Sequence, residues 1–346
     1  MLKIIRDEAA IRRYQRQFAR SFKPFVTEKI PVRLGHPGAS AAAKVFWSER
    51  LGIWLHAGKT LEGRHWNAFG IGKPKRDALI PITCEINFPT GGIDRRIGGA
   101  LARDRRGRIF VVHRGRLGGG RKGVGKSLFA DHYRGVWEIM EDGDEETTVA
   151  LIGVLGSPRL ARQIAQYIHK IDHIKGAASF RSAQMEMKFE TITFRETLMG
   201  ERYCDLERDK DAECDHGLVV KDLADHLRSL GLKVGNDGFI DLFIADSRGD
   251  MTTAFQVKST PGALSLHAGA AQLLLNSFRC ASSPRLVLVI PEQPDNALAE
   301  KFKKSNIHIL HYVWNQDQAQ FPGLRALLGP DASSLPDASR PMCPEG

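Results

Sequence analysis

FIDLFIADSRGDMTTAFQVKS, residues 239–259, is the stretch on which the fold turns. Two β-like runs, 239–245 and 252–258, flank the turn signal Ser247-Arg248-Gly249-Asp250. Such a pattern predicts a hairpin. Asp241 opens the first run, and Gln256 and Lys258 close the second, so the hairpin brings all three to one end. Gln256 and Lys258 are two residues apart on a strand, which points both side chains to the same face.

Working outward, residues 217–230 form a helix with Val219, Leu223, Leu227 and Leu230 on one face, and Gly231 is its natural C-cap. A short strand at 232–234 precedes the hairpin. A helix at 265–278, an apolar run at 286–290 typical of a buried strand, a helix at 294–304 and a strand at 307–313 follow it. The order is αβββαβαβ. Upstream, Ile11, Tyr14, Phe18 and Phe22 recur at helical spacing. The segment 1–30 is therefore a helix plus a Pro-containing link. Residues 31–200 hold short β-like runs (45–55, 79–88, 108–113, 147–155 and 185–194) and one helix at 158–174. The predicted organisation is α+β over the whole chain. A β-rich domain at 31–200 and a charged linker at 201–215 precede an α/β core at 216–328, and a Pro/Ser-rich, disordered tail follows at 329–346.

The hairpin residues suit phosphodiester chemistry. A carboxylate at 241 can hold Mg²⁺ against a phosphate oxygen, and the metal lowers the pKa of a bound water. The Gln256 amide oxygen and the Val257 main-chain carbonyl are further hard donors. Lys258 can orient the water or offset charge developing on phosphorus.

The element order and these residues resemble the PD-(D/E)XK nuclease superfamily. Its restriction-endonuclease-like core has an αβββαβ order with a D…(E/Q)xK signature on the central hairpin. The Gln variant is similar to the Mrr-like branch. The resemblance covers about residues 213–315. It implies that Asp241 is the central metal ligand, Gln256 the E/Q position and Lys258 the catalytic lysine. It also implies an acidic residue on or before the first helix, for which Asp215 is preferred over Glu213 and Asp222. A glutamine on the helix after the lysine strand is a further feature, which Gln272 matches.

The chain carries 50 Lys and Arg against 40 Asp and Glu, a formal charge of +10. That balance attracts polyanions, nucleic acid foremost. The segment RGRLGGGRKGVGK is a basic, glycine-rich loop, so Arg114, Arg116, Arg121, Lys122 and Lys126 are expected to contact phosphate. Gly120–Ser127 also matches GxxxxGK[ST] literally, which would give an NTPase built on Lys126. The poor helix after it and the antiparallel look of the zone speak against that. His169 and His173 are i, i+4 but lack a third ligand. Cys204, Cys214 and His216 fit no standard zinc spacing. Trp47, Trp54, Trp66 and Trp137 are expected as core anchors before base-stacking platforms.

No apolar run reaches the ~18 residues of a membrane span. Five scattered cysteines form no disulfide framework, which points to a reducing cytoplasm. The expectation is a Mg²⁺-dependent endodeoxyribonuclease of restriction or antiviral-defence type, with Mn²⁺ able to substitute. It would act on double-stranded DNA and work as a homodimer, because one core carries one active site. A non-catalytic DNA-binding protein with the same fold is the alternative.

Overall fold

The computed structural model describes residues 1–36, 39–117, 125–180, 202–203, 210–278, 283–293 and 295–329. The chain forms two compact units that divide between Cys214 and Asp215. The expected strand at 185–194 and the tail from 330 onward lie outside the described residues.

The first unit is strand-rich. Its elements are β1 (Leu2–Ile4), α1 (Glu8–Ser21), β2 (Glu28–His36), β3 (Ala39–Ser48), β4 (Ile53–Leu61), β5 (Arg64–Ile71), β6 (Leu79–Ile80), β7 (Cys84–Glu85), β8 (Phe88–Pro89), β9 (Gly99–Arg103), β10 (Ile109–His113), α2 (Lys126–His132), β11 (Val136–Glu141), β12 (Glu146–Val154), α3 (Leu160–Phe180) and β13 (Arg202–Tyr203). Strands β6-β2-β3-β4-β5-β7 make one sheet, with β8 on β5, and β1-β9-β10-β12-β11-β13 make the second.

The helix α1 starts where Asp7 caps the Ala10 amide at 2.7 Å. It is part of this unit rather than a separate segment, because Phe18 packs edge-on against Phe69 and Phe88. The Ile164, Ile168 and Ile171 stripe of α3 is buried in the same core. The run 45–55 is two antiparallel strands instead of one. The chain reverses through Gly52, whose φ of +67° is open to glycine. The run 79–88 breaks into three two-residue strands.

The second unit begins within α4 (Lys210–Ser229) and continues through β14 (Lys233–Gly235), β15 (Leu242–Ala245), β16 (Met251–Val257), α5 (Ala263–Ser277), β17 (Arg285–Ile290), α6 (Asn296–Lys304), β18 (Ile307–His311), β19 (Val313–Asn315), β20 (Gln318–Gln320) and α7 (Leu324–Leu328). The αβββαβαβ order is thus present. Helix α4 starts at Lys210, so residues 210–215 of the expected linker are helical. The sheet runs β14-β15-β16-β17-β18. Its first three strands are antiparallel and its last three parallel.

Both faces of this sheet are covered. Val219, Leu223 and Leu227 of α4 pack with Phe255, Val257, Val287 and Val289. Leu266, Ala270 and Leu273 of α5 pack with Ala254, Leu286 and Leu288 on the other side. Strand β16 is accordingly buried over its last five residues, which forces any polar side chain there to find a partner.

Candidate metal centre and the basic hairpin

Polar side chains gather where β15 begins and β16 ends. Asp241 immediately precedes β15, and the register Leu242↔Phe255 brings it beside Gln256. One carboxylate oxygen, Oδ2, accepts three hydrogen bonds. They come from the Val257 amide at 2.8 Å, the Gln256 side-chain amide, and His216 Nε2 at 3.2 Å. All four residues are buried.

His216 stands on α4, on the same stripe as Val219, Leu223 and Leu227. Its Nε2 lies 3.2 Å from Asp241 Oδ2 and also 3.2 Å from the Val257 carbonyl oxygen. Both partners are acceptors, so Nε2 carries the proton. The imidazole N–H therefore sits between two oxygens that would suit a cation. Burial pushes the Asp241 carboxyl up. The neighbouring His216 charge and hydrogen bond, the Val257 amide and the Lys258 ammonium outweigh it and hold the group below the usual carboxylate range.

Lys258 follows β16, and its own amide bonds the Val289 carbonyl at 2.8 Å. Its side chain lies on the α5 side of the sheet, where its ammonium donates to Gln272 Oε1 at 2.7 Å. Helix α5 reaches this close through Gly269. A Cβ there would stand 2.6 Å from Leu288 Cδ1 and 2.8 Å from Lys258 Cε.

The donor set tests the fit to a divalent cation. Two buried atoms, Gln256 Oε1 and His216 Nδ1, have no hydrogen-bond partner among the described residues. An unpaired amide oxygen in an apolar site is costly, and a cation beside Asp241 would give it a partner. Asp241, Gln256 and the Val257 carbonyl are hard oxygen donors of the kind Mg²⁺ and Mn²⁺ take. Among the described residues, no three His, Cys, Asp or Glu side chains form a metal-binding group. The fit therefore rests on a set of one carboxylate, one side-chain amide and one main-chain carbonyl, while His216 presents an N–H to two of these oxygens and is not itself a ligand.

His216 of α4 reaches Asp241. Asp215, the residue before it, is buried and lies inside α4 rather than ahead of it. Glu213 belongs to the first unit. Asp222 is committed to the β19–β20 hairpin, where it accepts the Ala319 amide at 2.8 Å. His216 was legible as a polar residue on an apolar helical stripe. Its only reading from sequence was as part of a cysteine–histidine set.

The basic loop of the first unit divides. Arg114 is buried, at 4% exposure, which removes it from the expected phosphate contacts. It forks onto Asp142 at 2.8 and 2.9 Å and donates to the Ile97 carbonyl at 3.0 Å. Arg116 and Lys126 are exposed. Arg121 and Lys122 lie outside the described residues. Strand β10, which leads into this loop, pairs antiparallel with both β9 and β12, and α2 is only seven residues long. A triphosphate-binding loop leaves a strand of a parallel sheet, whereas both sheet neighbours of β10 are antiparallel to it. His169 bonds the Leu51 carbonyl at 3.1 Å. Trp47, Trp54 and Trp137 are buried, whereas Trp66 is half-buried, 4.9 Å from the His56 ring.

Among known proteins, no family model, no curated protein and no solved structure matches this chain.

Proposed function

We propose that the second unit is a divalent-metal-dependent DNA endonuclease of the PD-(D/E)XK type, of restriction or defence class, with the first unit selecting the DNA. One observation carries the reading. Asp241, Gln256, the Val257 carbonyl and His216 meet at the end of one hairpin, and Lys258 leaves the same strand end held by Gln272.

Asp241, the Gln256 amide oxygen and the Val257 carbonyl would hold Mg²⁺ or Mn²⁺. The metal, when bound, supplies a water of lowered pKa and a positive charge against the phosphate. The protein's own contribution is positional. The low pKa of Asp241 keeps it a carboxylate across the working range. Gln272 fixes the Lys258 ammonium, so its charge is already in place when negative charge grows on phosphorus.

Incubation of purified protein with plasmid, phage and modified DNA, with and without Mg²⁺ or Mn²⁺, tests the reading. Metal-dependent cleavage that disappears in Lys258→Ala is expected. Absence of cleavage of all three DNAs in either metal would reject it.

A second reading is a DNA-binding protein that keeps this fold without cutting. It is favoured by Gln256 standing where a second carboxylate would strengthen metal binding, and by the saturated hydrogen bonding of Asp241 Oδ2. DNA binding that neither metal nor Lys258→Ala alters would support it.

A further inference from the structure

The first unit contains a cavity of about 560 Å³, well away in sequence from the hairpin site. Arg64 opens β5, Glu85 closes β7, Asn87 lies between β7 and β8, Arg96 precedes β9, Arg116 follows β10, and Lys126 opens α2. All six line it. Four cations thus face one carboxylate, although Arg96 is shared with Asp94 at 2.9 Å. The Nε of Arg64 is buried and has no hydrogen-bond partner among the described residues. A guanidinium nitrogen taken from water without an acceptor is unfavourable, and Arg64 is one of the cations that line the cavity.

The carboxylate is held in a fixed position. Glu85 accepts Trp66 Nε1 at 3.1 Å through one oxygen and Asn87 Nδ2 at 2.6 Å through the other. Asn87 is in turn fixed by the Asn67 amide at 2.8 Å. Each carboxylate oxygen keeps a lone pair for another donor. A cavity of this size is in the range that encloses a ligand of nucleotide dimensions.

We propose that this cavity is a phosphate-binding subsite sized for one nucleotide. Arg64, Arg116 and Lys126 hold the phosphate, and Glu85 accepts from an amino or hydroxyl group of the nucleoside. The proposal deepens the DNA-selecting part of the function above and does not depend on cleavage. Two sources share this chemistry, a nucleotide within a DNA strand and a free nucleotide.

Calorimetric titration of the full chain without divalent metal tests it. The titrants are deoxynucleoside 5′-monophosphates, inorganic phosphate, the matching deoxynucleosides, and a short single-stranded oligonucleotide. Each lost charge-assisted contact should cost about tenfold in affinity. Arg64→Gln with Arg116→Gln should therefore weaken the phosphate-bearing ligand about a hundredfold. Arg116→Gln with Lys126→Gln changes only exposed side chains. It gives the same test if the first pair fails to fold. Deoxynucleosides should not bind measurably. Loss confined to the oligonucleotide identifies a strand as the source, and loss of monophosphate binding identifies a free nucleotide. Equal binding by wild type and both double variants, or deoxynucleosides binding as well as monophosphates, overturns the proposal. Asp241→Asn should leave these titrations unchanged, so a failure here is separable from a failure of the nuclease reading.

Discussion

The Lys258 ammonium donates to Gln272 Oε1 at 2.7 Å, tying the end of a buried strand to the helix that follows it. A lysine side chain has four rotatable bonds and loses up to ~2 kcal/mol of rotamer freedom when fixed. The glutamine removes that cost from any step that uses the ammonium. Gln272→Ala should thus slow metal-dependent DNA cleavage by about tenfold to a hundredfold while Lys258→Ala abolishes it, read as single-turnover rates. Equal rates for Gln272→Ala and wild type would remove Gln272 from the site.

Gly269 offers a test that alters no polar group. Its added Cβ would fall 2.8 Å from Lys258 Cε and 2.6 Å from Leu288 Cδ1. Gly269→Ala must push the lysine stem or lift α5. Cleavage should fall at least tenfold, because displacements of about 1 Å at a catalytic group cost that much or more. DNA affinity should stay as in wild type.

Asp241 is the hub of the buried network. Asp241→Asn keeps the size of the side chain but removes its charge, and Mn²⁺ binding measured by calorimetry should drop below detection. Asp241→Ala also strands the Gln256 amide and the Val257 N–H, and leaves the His216 N–H with the Val257 carbonyl alone among the described residues. It should destabilise the second unit by about 2–5 kcal/mol in denaturant unfolding.

Arg114 should behave as a structural residue. Arg114→Ala leaves the Asp142 side chain, which is 1% exposed, with only the more distant Arg95 cation at 3.8 Å among the described residues. Breaking a buried pair from one side costs roughly 3–5 kcal/mol. The first unit should lose that stability, while DNA affinity per folded molecule remains. A loss of DNA affinity with unchanged stability would reverse the assignment.

His113 predicts an acid sensitivity of the first unit. Burial is the main cause that brings its pKa down to about 4. The neutral ring bonds the Glu85 carbonyl at 3.2 Å and accepts the Gly115 amide at 3.1 Å. The unfolded chain takes up this proton near pH 6.5, so it binds more protons than the folded chain between about 6.5 and 4. The contribution is fully present above about pH 6.5 and is lost as pH falls toward 4, by about 3 kcal/mol. Denaturant midpoints of wild type and His113→Gln across that window check it. The variant should show the shallower slope.

The sequence by itself determined the second unit's element order and the proximity of Asp241, Gln256 and Lys258. These rest on short-range rules: strand alternation, a Gly-containing turn and helical stripes, all read within about twenty residues. It also determined that Gln272 follows on the next helix. Only the tertiary structure decided that His216 of α4 meets Asp241, because the rotation of the helix against the sheet is set by burial of Val219, Leu223 and Leu227. Tertiary packing also buried Arg114 and gathered Arg64, Arg96 and Lys126 from separate strands and loops around one cavity. A basic loop in sequence records charge, but whether each cation meets solvent or a buried carboxylate depends on residues dozens of positions away.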